Sequence, residues 1–345
     1  MQGINTPHMH RIFLFSCCLL AGLQQVCAQV TYKIDQFSDQ YYAKVFIKDT
    51  AEVFSPGWVA VYDHQDKELL KVESEELALE LHDGKVVANV RELPYGEQSV
   101  LQYLDVNFDG IKDLAIEDGQ NSCYHGPSFQ VYLGHKGGFT HSSSFTRLAQ
   151  EYCGLFEVNE EEKKIYTMTK SGCCWHQLSA FEVVNNTPEE REVVEEDFSG
   201  GRYPFGTLTR KHWDGKKMVT TVTDIVSIDE VNIRFAFTVE KNDKLLTLFL
   251  QDNMLYYALQ DKEERVELSF PESAGTADFI YSAKDNTLQF SNKSATYTIY
   301  DNGNKYGIRI LTGGKTYDWT GRADSRKGGL KRIAAELPGN VELVR

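Results

Sequence analysis

Asp105 opens a run of oxygen-bearing side chains whose spacing could bind a metal ion. The run is Asp105-Val-Asn-Phe-Asp-Gly-Ile-Lys-Asp-Leu114, which follows the pattern D-x-N-x-D-G-x-x-D-L. Calcium is a hard cation that takes about six to eight oxygen ligands, and alternate side chains of a tight loop can converge on one ion. Gly110 permits the sharp turn that such a loop needs. The predicted ligands are the side chains of Asp105, Asn107, Asp109 and Asp113 and the backbone carbonyl of Ile111.

The loop differs from a complete EF-hand at its far end. An EF-hand has a bidentate Glu at its twelfth position, where this chain has Ile116, and Glu117 stands one residue later. Apolar residues before Asp105 and after Asp113 are typical of short strands. We therefore predict an EF-like calcium loop between two strands. The alternative is a solvated acidic turn, because Asp, Asn and Gly are common turn residues.

Four cysteines follow the N-terminal segment, and an even number in an exported chain predicts two disulfides. A bond between the adjacent Cys173 and Cys174 is geometrically disfavoured. We therefore expect Cys123 and Cys153 each to pair with one of those two, in an order that the sequence leaves open. The alternative is a zinc or copper site, because His125 and His176 each stand two residues after a cysteine.

The second candidate site is a binding loop around the adjacent cysteines. A disulfide-anchored loop is pre-organised for binding, and aromatic side chains are frequent interface anchors. The alternative is that Trp175 packs over the disulfides as part of the core. Tyr124 and His125 join this loop if Cys123 pairs with either adjacent cysteine. The predicted binding residues are Ser171, Gly172, Trp175, His176, Tyr124 and His125.

Signatures of catalysis are missing from the sequence. It contains no G-x-S-x-G, no H-E-x-x-H, no phosphate-binding glycine loop and no dinucleotide fingerprint. A cysteine nucleophile needs a free thiol of low pKa, which export makes improbable. We therefore predict no catalytic residues and a protein that is not an enzyme.

The net charge of −14 argues against nucleic acid and anionic membranes as partners, since both attract basic surfaces. An acidic surface favours a basic protein partner instead.

The N-terminus predicts export. Arg11 precedes the apolar run 12–20, and Val26-Cys-Ala28 has the small residues of a signal-peptidase site. We predict a signal peptide at 1–28, with either Met1 or Met9 as the start, and a mature protein in the periplasm or at the cell surface. No later apolar run approaches the roughly 20 residues of a membrane helix.

Alternating Tyr, Val and Phe residues between turn signals predict a mostly β chain with two β-rich domains. The first, 29–186, is expected to be an antiparallel sandwich or to resemble part of a propeller. The acidic run 187–201 is expected to be a solvated linker. A second β-rich domain of unknown role follows at 202–345, with one short helix at Leu330–Leu337 that ends at Pro338-Gly339. No fixed-period repeat supports a full propeller.

Residues around the loop resemble a family of exported β-rich proteins with a single integrin-like calcium loop. That family includes periplasmic immunity proteins that neutralise lysozyme-like effectors of type IV secretion. The resemblance covers about Tyr42 to Asn186, and the calcium loop is its one sharp motif. Ser171-Gly-x-x-Trp175 is similar to the Ser-Gly-x-x-Tyr loop of other lysozyme inhibitors, with Trp replacing Tyr. Further matching positions are Gly119, Tyr132-Leu133, Gly138-Phe139, Phe145, Leu148, Lys163–Ile165 and Val184.

The resemblance implies a calcium-stabilised, non-enzymatic protein that plugs the cleft of a basic peptidoglycan hydrolase. The alternative is a surface carbohydrate-binding or adhesion protein whose exposed Trp and Tyr side chains stack on sugars. Loss of glycan binding in Trp175→Ala would favour that alternative.

Overall fold

The computed structural model describes residues 29–92, 96–200, 204–227, 231–272, 275 and 277–344. The predicted signal peptide at 1–28 lies outside the described residues. The prediction of a mostly β chain is confirmed, because these residues form five open sheets and two short α-helices.

Two antiparallel sheets of four strands each form the beginning of the chain. In both sheets, strands that are neighbours in sequence pair with one another. The first sheet contains β1 (Val30–Ile34), β2 (Tyr41–Ile47), β3 (Ser55–Asp63) and β4 (Glu68–Leu77). The second contains β5 (Leu101–Leu104), β6 (Asp113–Gly119), β7 (Ser128–His135) and β8 (Gly138–His141).

A six-stranded sheet follows the helix α1 (Ser143–Glu151), with its strands in the order β14-β13-β12-β11-β10-β9. Its strands are β9 (Glu157–Asn159), β10 (Lys164–Ser171), β11 (Trp175–Val184), β12 (Thr187–Asp197), β13 (Phe205–Trp213) and β14 (Met218–Val226).

The prediction of a solvated linker at 187–201 is wrong, because Thr187–Asp197 is the strand β12 inside this sheet. Val193 is buried against the core. Arg191 meets Glu182 at 2.9 Å and Glu189 at 2.6 Å. Antiparallel sheets commonly have one solvated face, and cross-strand ion pairs suit that face. The acidic residues are therefore compatible with a strand, and the sheet continues through the expected domain boundary.

Two further sheets pack face to face in the C-terminal half. The first has the order β18-β17-β16-β15-β24, and the second the order β23-β22-β21-β20-β19-β25, in which only β19 and β25 pair in parallel. The predicted helix is confirmed as α2 (Leu330–Glu336). The strands are β15 (Asn232–Thr238), β16 (Leu245–Gln251), β17 (Met254–Gln260), β18 (Val266–Phe270), β19 (Phe279–Ser282), β20 (Thr287–Asn292), β21 (Ala295–Asp301), β22 (Tyr306–Thr312), β23 (Lys315–Thr320), β24 (Lys327–Gly328) and β25 (Val341–Val344).

Strand β6 lies at the centre of the N-terminal half because both of its faces are buried. Leu114 and Ile116 pack into the core shared with the first sheet. Ala115 faces the opposite core, which contains Phe145 of α1 and Ile165 of β10. Side chains alternate across a strand, so one apolar run of β6 joins two cores. The residues just before β6 are thereby fixed on a rigid support.

Asn340 provides a stability prediction for the C-terminal half. Its fully buried side chain accepts the Leu255 N–H at 2.7 Å and donates to the Leu255 carbonyl at 2.9 Å. Asn340→Ala leaves both buried backbone groups unsatisfied, so we expect the free energy of unfolding to fall by about 2 to 3 kcal/mol. Urea denaturation measures the free energy of unfolding, and Asn304→Ala is the control because Asn304 is exposed. Equal stability of the two variants would contradict this packing.

Within the described ranges, no helix combines the length and the apolarity that crossing a membrane requires.

Candidate calcium loop and binding surface

The predicted calcium loop joins β5 to β6, and Asp113 at its end is the first residue of β6. The carboxylate of Asp113 accepts the backbone N–H of Val106 and that of Gly134, both at 2.7 Å. Burial is the main cause that raises the pKa of Asp113 to about 6; the nearby Asp105 and Asp109 carboxylates act in the same direction, and the two backbone hydrogen bonds oppose them. Three carboxylates therefore repel one another across this short loop.

Backbone hydrogen bonds shape the rest of the loop. Asp105 accepts the N–H of Asp109 at 3.2 Å and that of Gly110 at 2.8 Å. Asp109 accepts the N–H of Ile111 at 2.8 Å. Gly110 has a φ of 86°, a left-handed conformation that favours glycine. The loop is thus a tight turn with its acidic side chains folded back on its own backbone.

Asn107 connects the loop to the six-stranded sheet. Its buried side-chain amide donates to Asp109 Oδ2 at 3.0 Å and to Asn186 Oδ1 at 3.2 Å. Asn186 lies in the turn between β11 and β12. A change in the conformation of the loop would therefore affect two sheets. One contains β6, and the other carries the predicted binding residues Trp175 and His176.

The donor set fits calcium in its chemistry, because every predicted ligand offers oxygen and three are carboxylates. A divalent cation would also offset the repulsion between Asp105, Asp109 and Asp113. Among the described residues, no three His, Cys, Asp or Glu side chains form a ready-made metal centre. Calcium ligation by Asp105, Asn107, Asp109, Ile111 and Asp113 therefore remains a prediction.

The cysteines form two disulfides with a pairing different from the one expected. Cys123 pairs with Cys153, and Cys173 pairs with its neighbour Cys174. The prediction that Cys123 and Cys153 each pair with one of the adjacent cysteines is wrong, because tertiary hydrogen bonds bring Cys153 to Cys123. Gly154 N–H donates to Ser122 Oγ at 3.2 Å, beside the first disulfide. All four sulfurs are bonded, so none is a free thiolate for the alternative zinc or copper site.

Tyr124 is the most exposed aromatic residue of the predicted binding set. It lies in the 3-10 turn Cys123–His125 with a left-handed φ of 53°, and its side chain is 60% exposed. The backbone N–H of Gly172 donates to the Tyr124 hydroxyl, and the ammonium of Lys170 lies 5.2 Å from the ring centroid. The disulfide, the hydrogen bond and the cation–π contact together fix an aromatic ring at the surface.

His125 joins the same turn to a loop of the first sheet. Its ring meets the Phe54 ring edge-on at 5.3 Å, and its Nε2 lies 3.5 Å from Glu76 Oε2. Phe54 and its neighbour Val53 are both exposed. Sequence reasoning missed this loop, because Val53 and Phe54 carry no motif and only the fold brings them to His125.

The remaining predicted binding residues divide into two groups. Ser171 and Gly172 are exposed in the β10–β11 turn, where Gly172 contacts Tyr124. Trp175 and His176 are half-buried at the start of β11, and they pair across the sheet with Asp197 and Glu196 of β12. Among the predicted binding residues, Tyr124 and not Trp175 is therefore the aromatic side chain that is exposed.

A cleft of about 620 Å³ opens beside this turn, between the first two sheets. We call it the acidic cleft, since four of its lining residues are glutamates. Sequence reasoning missed this cleft, because the glutamates come from four separate segments. They are Glu52, Glu80, Glu97 and Glu117.

No protein-family model matches the sequence, and no curated protein matches it either. Among solved structures, the chain is similar to a Xanthomonas type IV secretion system related protein. The identity is 18% and the TM-score 0.44, over 57% of this chain and 94% of that one. It is also similar to prolyl oligopeptidase B from Galerina marginata, at 10% identity and a TM-score of 0.24, over 84% of this chain and 41% of that one. An uncharacterized protein from Listeria monocytogenes matches at 10% identity and a TM-score of 0.22, over 81% and 79% of the two chains. Similarities this low assign no function.

Proposed function

We propose that this protein is an exported, calcium-binding protein that acts by binding another protein rather than by catalysis. Its proposed target is a basic, lysozyme-like peptidoglycan hydrolase. The family resemblance of residues 42–186 supports the target class, and the net charge of −14 suits a basic partner. Opposite charges raise association rates and disfavour wrong partners.

The observation that carries the proposal is the fixed, exposed ring of Tyr124. An aromatic residue that is already ordered loses little conformational entropy on binding, and tyrosines are enriched among the residues that dominate interface energies. Two contacts hold the Tyr124 side chain, the hydrogen bond from Gly172 of the predicted binding loop and the Lys170 ammonium over the ring, and the disulfide of the adjacent Cys123 anchors the turn.

Calcium has a structural role in the proposal. The side chains of Asp105, Asn107, Asp109 and Asp113, with the carbonyl of Ile111, would hold the ion, which supplies positive charge between the carboxylates. The loop contacts β7 at Gly134 and the β11–β12 turn at Asn186. Calcium would therefore stiffen the connection between two sheets and would take no part in a catalytic reaction.

Tyr124→Ala is expected to weaken binding to a lysozyme-like hydrolase by about 30-fold or more. The reason is that truncation of an interface anchor costs about 2 kcal/mol or more, and 1.4 kcal/mol is about tenfold in affinity. The measurement is calorimetric titration against a panel of such hydrolases. Tyr317→Ala is the matched control, because Tyr317 is 44% exposed on β23 in the other half of the chain.

Equal affinities of the two variants would remove Tyr124 from the interface. Binding to peptidoglycan glycan fragments that is lost in Trp175→Ala would instead favour the carbohydrate-binding alternative.

A further inference from the structure

The acidic cleft has apolar walls as well as acidic groups. Ile47 and Leu77 belong to the core between the first two sheets, and their largely buried side chains form part of the wall of this cleft. Tyr32 and Leu79 line it beside them, and Val53 and Leu81 stand exposed at its mouth. A cavity of about 620 Å³ can accept a long side chain from another molecule.

The charges of the cleft have one sign. Glu52, Glu80, Glu97 and Glu117 line it, and the described lining residues include no Lys or Arg. His82 offsets part of this charge, because its Nε2 lies 2.6 Å from Glu97 Oε1. Glu52 and Glu80 are exposed, whereas Glu117 is inside.

Glu117 is the group that distinguishes the cleft from a solvated acidic patch. Its side chain is 1% exposed. Its Oε1 accepts the Ala78 N–H at 3.1 Å and the Gln120 amide at 2.8 Å. Among the described residues, none donates to Oε2 and no cation pairs with the carboxyl. Burial of an unpaired charge is unfavourable, so this carboxyl group is expected either to keep its proton or to take up a cation from another molecule.

We propose that the acidic cleft binds a lysine or arginine side chain of the partner protein, with the apolar stem against Ile47 and Leu77 and the cationic head at Glu117. Long basic side chains pack their methylene stems on apolar surface while the head meets a charge. The cleft offers an apolar wall and a carboxyl group in one cavity. A bare metal ion would bind the carboxyl group but would make no use of the apolar wall. The inference rests on the proposed binding function, and it specifies the chemistry of the segment that enters.

The cleft adjoins the surface assigned to Tyr124. Val53 lines the cleft, and the next residue, Phe54, packs on His125 of the 3-10 turn. Pro127 follows that turn and also lines the cleft. One partner could therefore contact the Tyr124 ring and place a basic side chain in the cleft.

Because Glu117 can be protonated, the affinity of the cleft for a cationic side chain should depend on pH. A purely structural role of Glu117 would not produce this dependence. Burial is the main cause that raises the pKa of Glu117 to about 8, and the charge of the neighbouring Asp118 acts in the same direction. The Ala78 and Gln120 hydrogen bonds act in the opposite direction. Ionised Glu117 is the form that attracts a cation, so affinity should increase as pH rises through this value. Between pH 7 and 9 the ionised fraction increases about tenfold, while lysine keeps its charge.

The other titratable groups of the cleft are Glu52, Glu80 and Tyr32, with Glu97 paired to His82. That pairing raises the pKa of His82, so loss of its proton at higher pH also makes the cleft more negative. Asp118 lies on the other side of β6, where it accepts hydrogen bonds from Ser128, Gln130 and Gln150. A Glu117 variant separates the contribution of Glu117 from that of His82.

The test is an NMR titration of the whole mature protein with Nα-acetyl-lysine amide at pH 7 and pH 9, with Nα-acetyl-norleucine amide as the uncharged probe. The lysine probe should perturb the residues of the cleft and bind about tenfold more tightly at pH 9. Glu117→Gln should abolish most of that binding and of its pH dependence, while the exposed Glu161→Gln should change neither. Val53→Arg at the exposed mouth should also weaken binding. This variant leaves the interior unaltered, so it tests the cleft even if Glu117→Gln impairs folding.

Equal binding of the lysine and norleucine probes, or an unchanged response in both Glu117→Gln and Val53→Arg, would overturn the inference. Its failure is separable from failure of the proposed function. If a hydrolase binds and depends on Tyr124 but not on Glu117, the cleft assignment is wrong and the function stands. If the lysine probe binds in the cleft and no hydrolase binds, the target class is wrong and the cleft assignment stands.

Discussion

Replacement of both Cys123 and Cys153 by serine is expected to lower the free energy of unfolding by about 3 to 4 kcal/mol. This disulfide joins residues 30 positions apart, and in the chain-entropy view a cross-link stabilises by restricting the unfolded chain. The bond between Cys173 and Cys174 closes almost no loop, so the same argument gives about 1 kcal/mol for their double replacement. Urea denaturation of the two double variants measures the difference.

The two disulfide variants are matched controls for each other. Each removes one bond and adds two serines. Losses of similar size, or a peptide map that joins Cys123 or Cys153 to one of the adjacent cysteines, would contradict the pairing described here. Such a peptide map would instead support the pairing predicted from the sequence, in which Cys123 and Cys153 each bond to one of the adjacent cysteines.

Calcium at about 100 times its dissociation constant is expected to raise the free energy of unfolding by about 2.7 kcal/mol. A ligand that binds only the folded protein stabilises it by this mass-action relation. Asp109→Ala should abolish the increase, because it removes a carboxylate from the predicted ligand set. In calcium-free buffer the same variant should lose little stability, since Asp109 is exposed, its partners Ile111 and Asn107 lie in its own turn, and the Asn107 amide keeps its bond to Asn186.

Asp214→Ala is the control for the calcium measurement. Asp214 is also exposed in a turn, where it accepts the backbone N–H groups of Lys216 and Lys217. Its replacement should leave the calcium response intact. Thermal unfolding of the three proteins, with calcium and with chelator, gives the comparison. No response to calcium in the unmutated chain would reduce the loop to a surface turn.

Local pattern predicted much of the fold around the site. The apolar residues on both sides of the acidic loop predict strands, and β5 and β6 are there. The alternation of Tyr42–Ile47 predicts β2, and Pro338-Gly339 ends α2 as expected. These signals work because each depends on residues close together in the sequence.

Charge patterning misidentified β12. Pro188 and the glutamates that follow it are typical of a solvated linker. In the folded protein, Arg191 of β12 pairs with Glu182 of β11, Lys164 of β10 pairs with Glu192, and Val193 faces the core. These contacts depend on how the strands are arranged in the sheet, so the composition of the run alone could not reveal them.

The functional surface shows the same limit. The sequence placed the calcium residues correctly between two strands, and it selected Tyr124 together with Gly172. It could not identify Glu117, because only the fold shows that this side chain is buried with no cationic partner among the described residues. It also gave no reason to join Phe54 to His125. Such contacts depend on how two sheets meet, which periodicity does not encode.

In the proposed function, this protein inhibits a hydrolase by binding it. The most direct test adds increasing amounts of mature protein, in calcium buffer, to a lysozyme-like hydrolase that is degrading peptidoglycan, and it follows the residual activity. We expect the hydrolase activity to fall in proportion to the protein added and to reach a minimum near an equimolar ratio, while the protein alone releases no fragments. Full hydrolase activity at a large molar excess across the panel, or release of fragments by the protein alone, would contradict it.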